Sequence, residues 1–93
     1  MQHREANFQG KKHLSIYRQA WVPDDAARAA VVIVHGLGEH SGRYRHVAEH
    51  LVNFGCAVYA MDHRGHGKSE GPRAVVDRFA NAVQDIDQVV ERA

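Results

Sequence analysis

With 93 residues the chain sits at the short end for one domain and is too short for two. It is 44% hydrophobic and 25% charged with a formal net charge of +1, an ordinary globular balance without the electrostatic footprint of a nucleic-acid or acidic-membrane binder. Lysines and arginines are scattered singly, Lys11-Lys12 being the only adjacent pair, so a nucleic-acid partner is not expected.

One cysteine, Cys56, rules out an internal disulfide. It lies in the apolar run Cys56-Ala57-Val58-Tyr59-Ala60-Met61, where a buried inert thiol is the ordinary reading. The N-terminal MQHREANFQGKKH lacks the apolar core of a signal peptide. No apolar run approaches the roughly 20 residues that span a bilayer. A soluble, cytoplasmic protein is the expectation.

The first coherent element is His13 to Val22. Leu14, Ile16, Ala20 and Val22 fall on one face and Ser15, Tyr17, Gln19 and Trp21 on the other, a period of two that predicts a strand. Arg18 interrupts the apolar face, which points to a position near a sheet edge. Gly10-Lys11-Lys12 reads as a turn, with Ala6 to Gln9 as a short hairpin partner. Pro23-Asp24-Asp25 ends the strand and begins a polar connection.

Val31 to Val34 is apolar without alternation, as in a strand covered on both faces. From Tyr44 the period changes: Tyr44, Val47, Ala48, Leu51 and Val52 trace one buried helical stripe, which Gly55 stops. Cys56 to Met61 is a further strand, and Asp62 to Pro72 a loop with three glycines. Asp77 is a fitting N-cap for a last helix with Phe79, Ala82, Val83, Ile86, Val89 and Val90 inside, still running at Ala93. The order hairpin, strand, helix, strand, loop, helix predicts an α/β fold with parallel β-α-β packing.

His35-Gly36-Leu37-Gly38 leaves a buried strand and leads toward a helix, the place where open α/β sheets put their ligand sites. Glycines there allow a sharp turn with an outward N–H, which can stabilise the oxyanion of an acyl transfer. A tight turn that needs glycine for shape alone fits the spacing equally well.

Gly67-Lys68-Ser69 resembles the tail of a phosphate-binding loop. Asp62 stands where that motif needs its first glycine, and Gly71-Pro72 follows where a helix should begin. A structured loop over the end of the sheet is the better reading. His46 and His50 lie off the apolar stripe of their helix, and His63 and His66 lack an obvious third ligand, so no metal site is expected. Asp85, Asp87 and Glu91 read as the outer, solvated side of the last helix. Ser15, Ser41 and Ser69 all lack the flanking glycines of a nucleophile elbow, and Ser41 reads as a helix cap. The residues therefore offer an oxyanion-type turn and no nucleophile.

His-Gly-Leu-Gly-Glu-His-Ser-Gly-Arg-Tyr at 35 to 44 resembles the signature of monoacylglycerol lipases and related lysophospholipases of the α/β-hydrolase fold. Asp62-His63-Arg64-Gly65-His66-Gly67-Lys68-Ser69-Glu70-Gly71 is similar to a second loop of that family, in the right order and at the expected distance. The resemblance runs from about Phe8 to the end. It implies a carboxylic ester hydrolase with a Ser-Asp-His triad, no metal and no organic cofactor, cleaving monoacylglycerols or lysophospholipids. The backbone N–H of Leu37 is then one oxyanion donor, His35, Gly36 and Gly38 shape the turn, and Glu39 and Arg43 contact the glycerol head group. The 62 to 71 loop is mainly structural.

The family's serine, acid and histidine, and the cap that receives the acyl chain, all come later than residue 93. Residues 1 to 93 are thus expected to be the N-terminal portion of one α/β-hydrolase domain with an incomplete sheet, cut before the nucleophile elbow. Such a fragment is expected to be inactive alone, with membrane contact only through the missing cap. In the family's sheet order Val31 to Val34 lacks a neighbour on one side, which points to a marginal or oligomeric chain. The rival readings are another α/β-hydrolase, a peptidase or epoxide hydrolase, and a short non-catalytic interaction module.

Overall fold

A computed structural model describes residues 1–36, 38–73 and 79–92. Four strands, β1 (Gln2–Gln9), β2 (Ser15–Val22), β3 (Ala29–Val34) and β4 (Cys56–Met61), form one mixed sheet in the order β1-β2-β4-β3. β1 and β2 pair antiparallel from Gln2↔Val22 to Gln9↔Ser15, β2 and β4 pair antiparallel, and β3 runs parallel to β4 from Ala29↔Cys56 to Val34↔Met61. Helix α1 (Arg45–Asn53) makes the β3-to-β4 crossover, and α2 (Phe79–Arg92) follows the long loop after β4.

Alternate residues of each strand point to opposite faces, and each face carries its own core. Trp21, Val58 and Ala60 pack with Ala48 and Val52 of α1, joined by half-buried Ile33, Leu51 and Cys56. Phe8, Ile16 and Met61 pack with Val89 of α2, joined by Leu14, Val32, Tyr59 and Ile86. The helices therefore cover opposite sides of the sheet, as a β-α-β unit continued by a further helix requires.

Several expectations change. The hairpin partner is not the short Ala6–Gln9 piece but the whole of Gln2–Gln9. Only Phe8 in it is buried, so eight backbone pairs hold it and apolar patterning does not announce it. His13 belongs to a 3-10 turn, Lys11–His13, in which Lys12 and His13 both adopt φ 60°. β2 lies next to the edge strand β1 rather than at the edge itself: β1 and β4 flank it, and Arg18 sits opposite Met61.

β3 is the edge. Its outer side has no partner strand among the described residues, and its residues are half-buried or exposed, with Val34 47% exposed. Its faces are only partly covered, Ile33 by the α1 core and Val32 by the α2 core. Val47 on α1 and Val83 and Val90 on α2, all read as inward, are exposed as well. Gly55 stops α1 as expected, at φ +91°, where Arg28 packs too close for a Cβ. Asp77 and Ala93 lie outside the described residues. None of the described helices is long and apolar enough to cross a membrane.

Candidate functional site

The segment 35–44 leaves the C-terminal end of β3, and the 62–71 loop leaves the C-terminal end of the adjacent parallel strand β4. Parallel pairing brings both exits to one end of the sheet, the usual position of a ligand site in α/β folds. Leu37 itself lies outside the described residues. Around it, Gly38 is exposed at φ +78°, a conformation that costs glycine nothing.

Glu39 fastens the turn from within. Its Oε1 accepts the Gly36 N–H at 2.8 Å and the Tyr44 hydroxyl at 2.8 Å, and its Oε2 pairs with Arg43 Nη1 at 3.2 Å. The Glu39 N–H returns to the Gly36 carbonyl at 3.1 Å. A Cβ on Gly36 would stand 2.9 Å from Glu39 Oε1, so any side chain there would displace the Glu39 carboxylate. The Tyr44 and Gly36 donors hold the Glu39 carboxyl below its ordinary range, and the same bond raises Tyr44. Glu39 and Arg43 are thus together, as an ion pair whose carboxylate already has three donors.

Asp62 fastens the turn from outside. Its buried carboxylate accepts the Ser41 N–H and hydroxyl at 2.7 Å each on Oδ1, and the Lys68 N–H at 2.9 Å on Oδ2. Gln19 on β2 donates to Ser41 Oγ at 2.6 Å. Ser41 is therefore not a helix cap: it opens a 3-10 turn, Ser41–Tyr44, and its side chain is tied to Asp62. Gly67, at φ +48°, lies where a Cβ would come within 2.3 Å of Asp62 Oδ2. The Gly67-Lys68-Ser69 stretch thus folds around a carboxylate, and Ser69 Oγ donates to the Asp62 carbonyl at 2.5 Å.

His35 is buried and joined to His63 by two bonds. The His63 N–H donates to His35 Nε2 at 2.9 Å, and His63 Nε2 lies 3.0 Å from the His35 carbonyl. The rings meet edge to face at 4.3 Å, and His66 stands 5.3 Å from His35. Burial lowers the pKa of both His35 and His63 below the ordinary imidazole value, with neighbouring imidazoles pushing the same way. Among the described residues no group of three or more potential ligands is placed to hold a metal ion. His46 and His50 are exposed on α1.

A buried ion pair anchors the loop to α2. Arg64 Nε and Nη2 reach Asp85 Oδ2 and Oδ1 at 3.0 and 3.1 Å, with side chains 1% and 0% exposed. Asp85 is therefore not on the solvated side of its helix. It stands on the same stripe as Ala82, Ile86 and Val89, a spacing that already placed it inward. A carboxylate on an apolar stripe was the signal for a cationic partner.

Comparison with known proteins gives the family and the fold. The family model described as serine aminopeptidase, S33, matches residues 25–93. Monoacylglycerol lipase of Mycolicibacterium smegmatis is 42% identical over 86 residues, 92% of this chain and 31% of that protein. Protein K6 of vaccinia virus is 44% identical over 62 residues, 67% of this chain and 76% of that shorter protein. The crystal structure of a thermostable carboxyl esterase from Bacillus coagulans, in complex with glycerol, superposes with TM-score 0.87 at 28% identity, over 99% of this chain and 32% of that one. The chain spans less than a third of the length of the monoacylglycerol and monoglyceride lipases it matches.

Proposed function

Because this chain belongs to the α/β-hydrolase family described as serine aminopeptidase, S33, and is similar to monoacylglycerol lipases, we propose that it supplies the oxyanion-turn portion of a cytoplasmic serine hydrolase of acyl ester lipids. The substrates are monoacylglycerols or lysophospholipids, cleaved to a fatty acid and a glycerol-type product. One observation carries the reading: a glycine turn at the end of parallel strand β3, closed by Glu39 from within and by Asp62 from the next strand's loop.

In such a reaction a serine attacks the ester carbonyl, and the oxygen gains negative charge as the tetrahedral intermediate forms. A donor already fixed at that position stabilises the charge without reorganising. The Leu37 N–H takes this role. Gly36 cannot, because its N–H is engaged by Glu39. Arg43, with its side chain 62% exposed, and Glu39 beside it present a charged pair to the glycerol hydroxyls.

The chain brings no nucleophile of its own. Ser15 Oγ accepts from Asn7, Ser41 Oγ is bonded to Asp62, and Ser69 Oγ to the Asp62 carbonyl. Residues 1–93 alone are therefore inactive. The test is fatty-acid release from a monoacylglycerol by the purified 93-residue chain, which should match the buffer blank. Turnover that co-purifies with the chain would overturn the reading. The substrate class is tested on a hydrolase that carries this segment ahead of a Gly-x-Ser-x-Gly turn. It should prefer a monoacylglycerol to a peptide anilide, and the reverse preference would favour the peptidase that the family's description names.

A further inference from the structure

His35 and His66, both buried, and half-buried His63 lie behind the turn, and their partners dictate their protonation states. A backbone N–H can only donate, so the His63 N–H makes His35 Nε2 an acceptor without a proton. In a neutral ring the proton is then on Nδ1, which donates to the Gly36 carbonyl at 2.7 Å. The His35 carbonyl can only accept, so His63 carries its proton on Nε2. His66 likewise donates from Nδ1 to the Arg64 carbonyl at 3.0 Å. Two buried nitrogens, His63 Nδ1 and His66 Nε2, remain without a hydrogen-bond partner among the described residues.

The three rings do not respond alike to a proton. One on His63 Nδ1 or His66 Nε2 adds charge but breaks no bond. One on His35 Nε2 sets two N–H groups against each other and removes a bond between the 62–71 loop and the turn. We propose that the His35–His63 pair is a proton-released clasp: with His35 neutral two bonds lock the oxyanion turn to the loop after β4, and protonation of His35 loosens it by breaking the bond from the His63 N–H. The turn's catalytic meaning rests on the esterase reading above; the clasp itself does not.

The surrounding charges set the sense of the switch. His35 faces His63, His66 and Asp62 from the loop and Glu39 from its own turn; His63 also feels Asp85 of α2, which Arg64 pairs. Asp62 and Asp85 favour a proton on the cluster. Burial and the mutual repulsion of the imidazoles oppose it, and these dominate for both His35 and His63. The clasp therefore stays closed at neutral pH and loosens only below the ordinary imidazole range of about 6.5.

The test uses the 15N-labelled 93-residue chain and needs no catalysis. At about pH 8, long-range 1H–15N spectra should give the Nδ1–H tautomer for His35 and the Nε2–H tautomer for His63. As His35 titrates, protection of the His63 amide against exchange should fall on the order of tenfold while β4 amides keep theirs. His35→Gln offers a carboxamide oxygen to the same N–H and does not titrate, so its His63 protection should be independent of pH. His35→Ala should lack that protection at every pH. An Nε2–H tautomer for His35, or His63 protection unchanged while His35 titrates, overturns the clasp. So does the same pH-dependent loss in His35→Gln. If a variant does not fold, the tautomers and exchange of the unmodified chain decide alone. An active esterase with a pH-independent His63 amide would sink the clasp and keep the function; the converse result would do the opposite.

Discussion

Asp85→Asn tests the buried ion pair most directly. Asparagine keeps the shape of the side chain but removes the charge and turns one acceptor into a donor that meets Arg64. The guanidinium, 1% exposed, then keeps at most one of its two bonds, of 3.0 and 3.1 Å, and loses the opposing charge. Removing one partner of a buried pair costs about 3–5 kcal/mol, because the other charge stays desolvated. A domain of this length has roughly 5–14 kcal/mol of stability in total, at about 0.05–0.15 per residue. Among the described side chains of α2, Ala82 and Val89 are also buried and Ile86 is half-buried.

Arg64 also donates to the Lys11 carbonyl at 3.3 Å, so the pair links the loop, α2 and the hairpin turn. Urea unfolding followed by far-UV circular dichroism should show a large fall in midpoint for Asp85→Asn. The double variant Arg64→Met, Asp85→Leu should lose less than either single change, since it leaves no lone buried charge. Gly10→Ala should weaken the same junction, because its Cβ would stand 2.5 Å from Asp85 Oδ1 and 3.1 Å from Arg64 Nη2. An Asp85→Asn chain within about 0.5 kcal/mol of the parent, the range of ordinary surface changes, would refute the pair as an anchor.

Asp62→Asn should cost about 3 kcal/mol, since three bonds to one carboxylate depend on its charge; Ser41→Ala, which removes one of them, should cost clearly less in the same thermal melts. Both His35 and His63 have folded-state pKa values below the unfolded value, so the unfolded chain binds more protons. Their contribution is complete above about pH 6.5 and is lost as pH falls through the lowered folded values. Urea midpoints should therefore fall between pH 7.5 and 5, and less steeply for His35→Gln. Val34→Lys, at an exposed position on the bare edge of β3, should raise the monomer fraction in sedimentation velocity; an unchanged distribution would mean that the edge does not mediate association.

Periodicity located β2, β4 and α1 because their apolar residues face a core, and burial is what periodicity records. It failed for β1, a polar strand held by backbone pairing with only Phe8 anchored. It overstated α1 and α2, where Val47, Val83 and Val90 are exposed. It also overstated the burial of β3, whose residues are half-buried or exposed, although the bare edge itself was expected from the family's sheet order. Asp85 shows the opposite error. Its spacing placed it on the buried stripe of α2, and the general expectation that charge faces water overrode that spacing. The position of the turn was legible because glycines mark it. The bonds of Ser41 and His35 were not, since they join residues 21 and 28 positions apart in the chain, a separation that only the parallel pairing of β3 with β4 closes.

The pattern of bonds explains why this turn is written with so many polar residues. Packing cannot hold a loop at the mouth of a site that must stay open, so directional bonds do it. The Gly36 N–H goes to Glu39, the Glu39 N–H to Gly36, the Ser41 N–H to Asp62 and the Arg43 N–H to His40. Each of these amides is committed to the shape of the turn and none of them is open to a ligand. The His35 ring fixes the start of the turn, Asp62 its middle and Tyr44 its end. An oxyanion donor is useful only if it need not move when charge develops. On the proposed reading, the three separate fastenings among the described residues of the turn serve that condition, and Gly36 and Gly67 help by admitting the Glu39 and Asp62 carboxylates against the backbone.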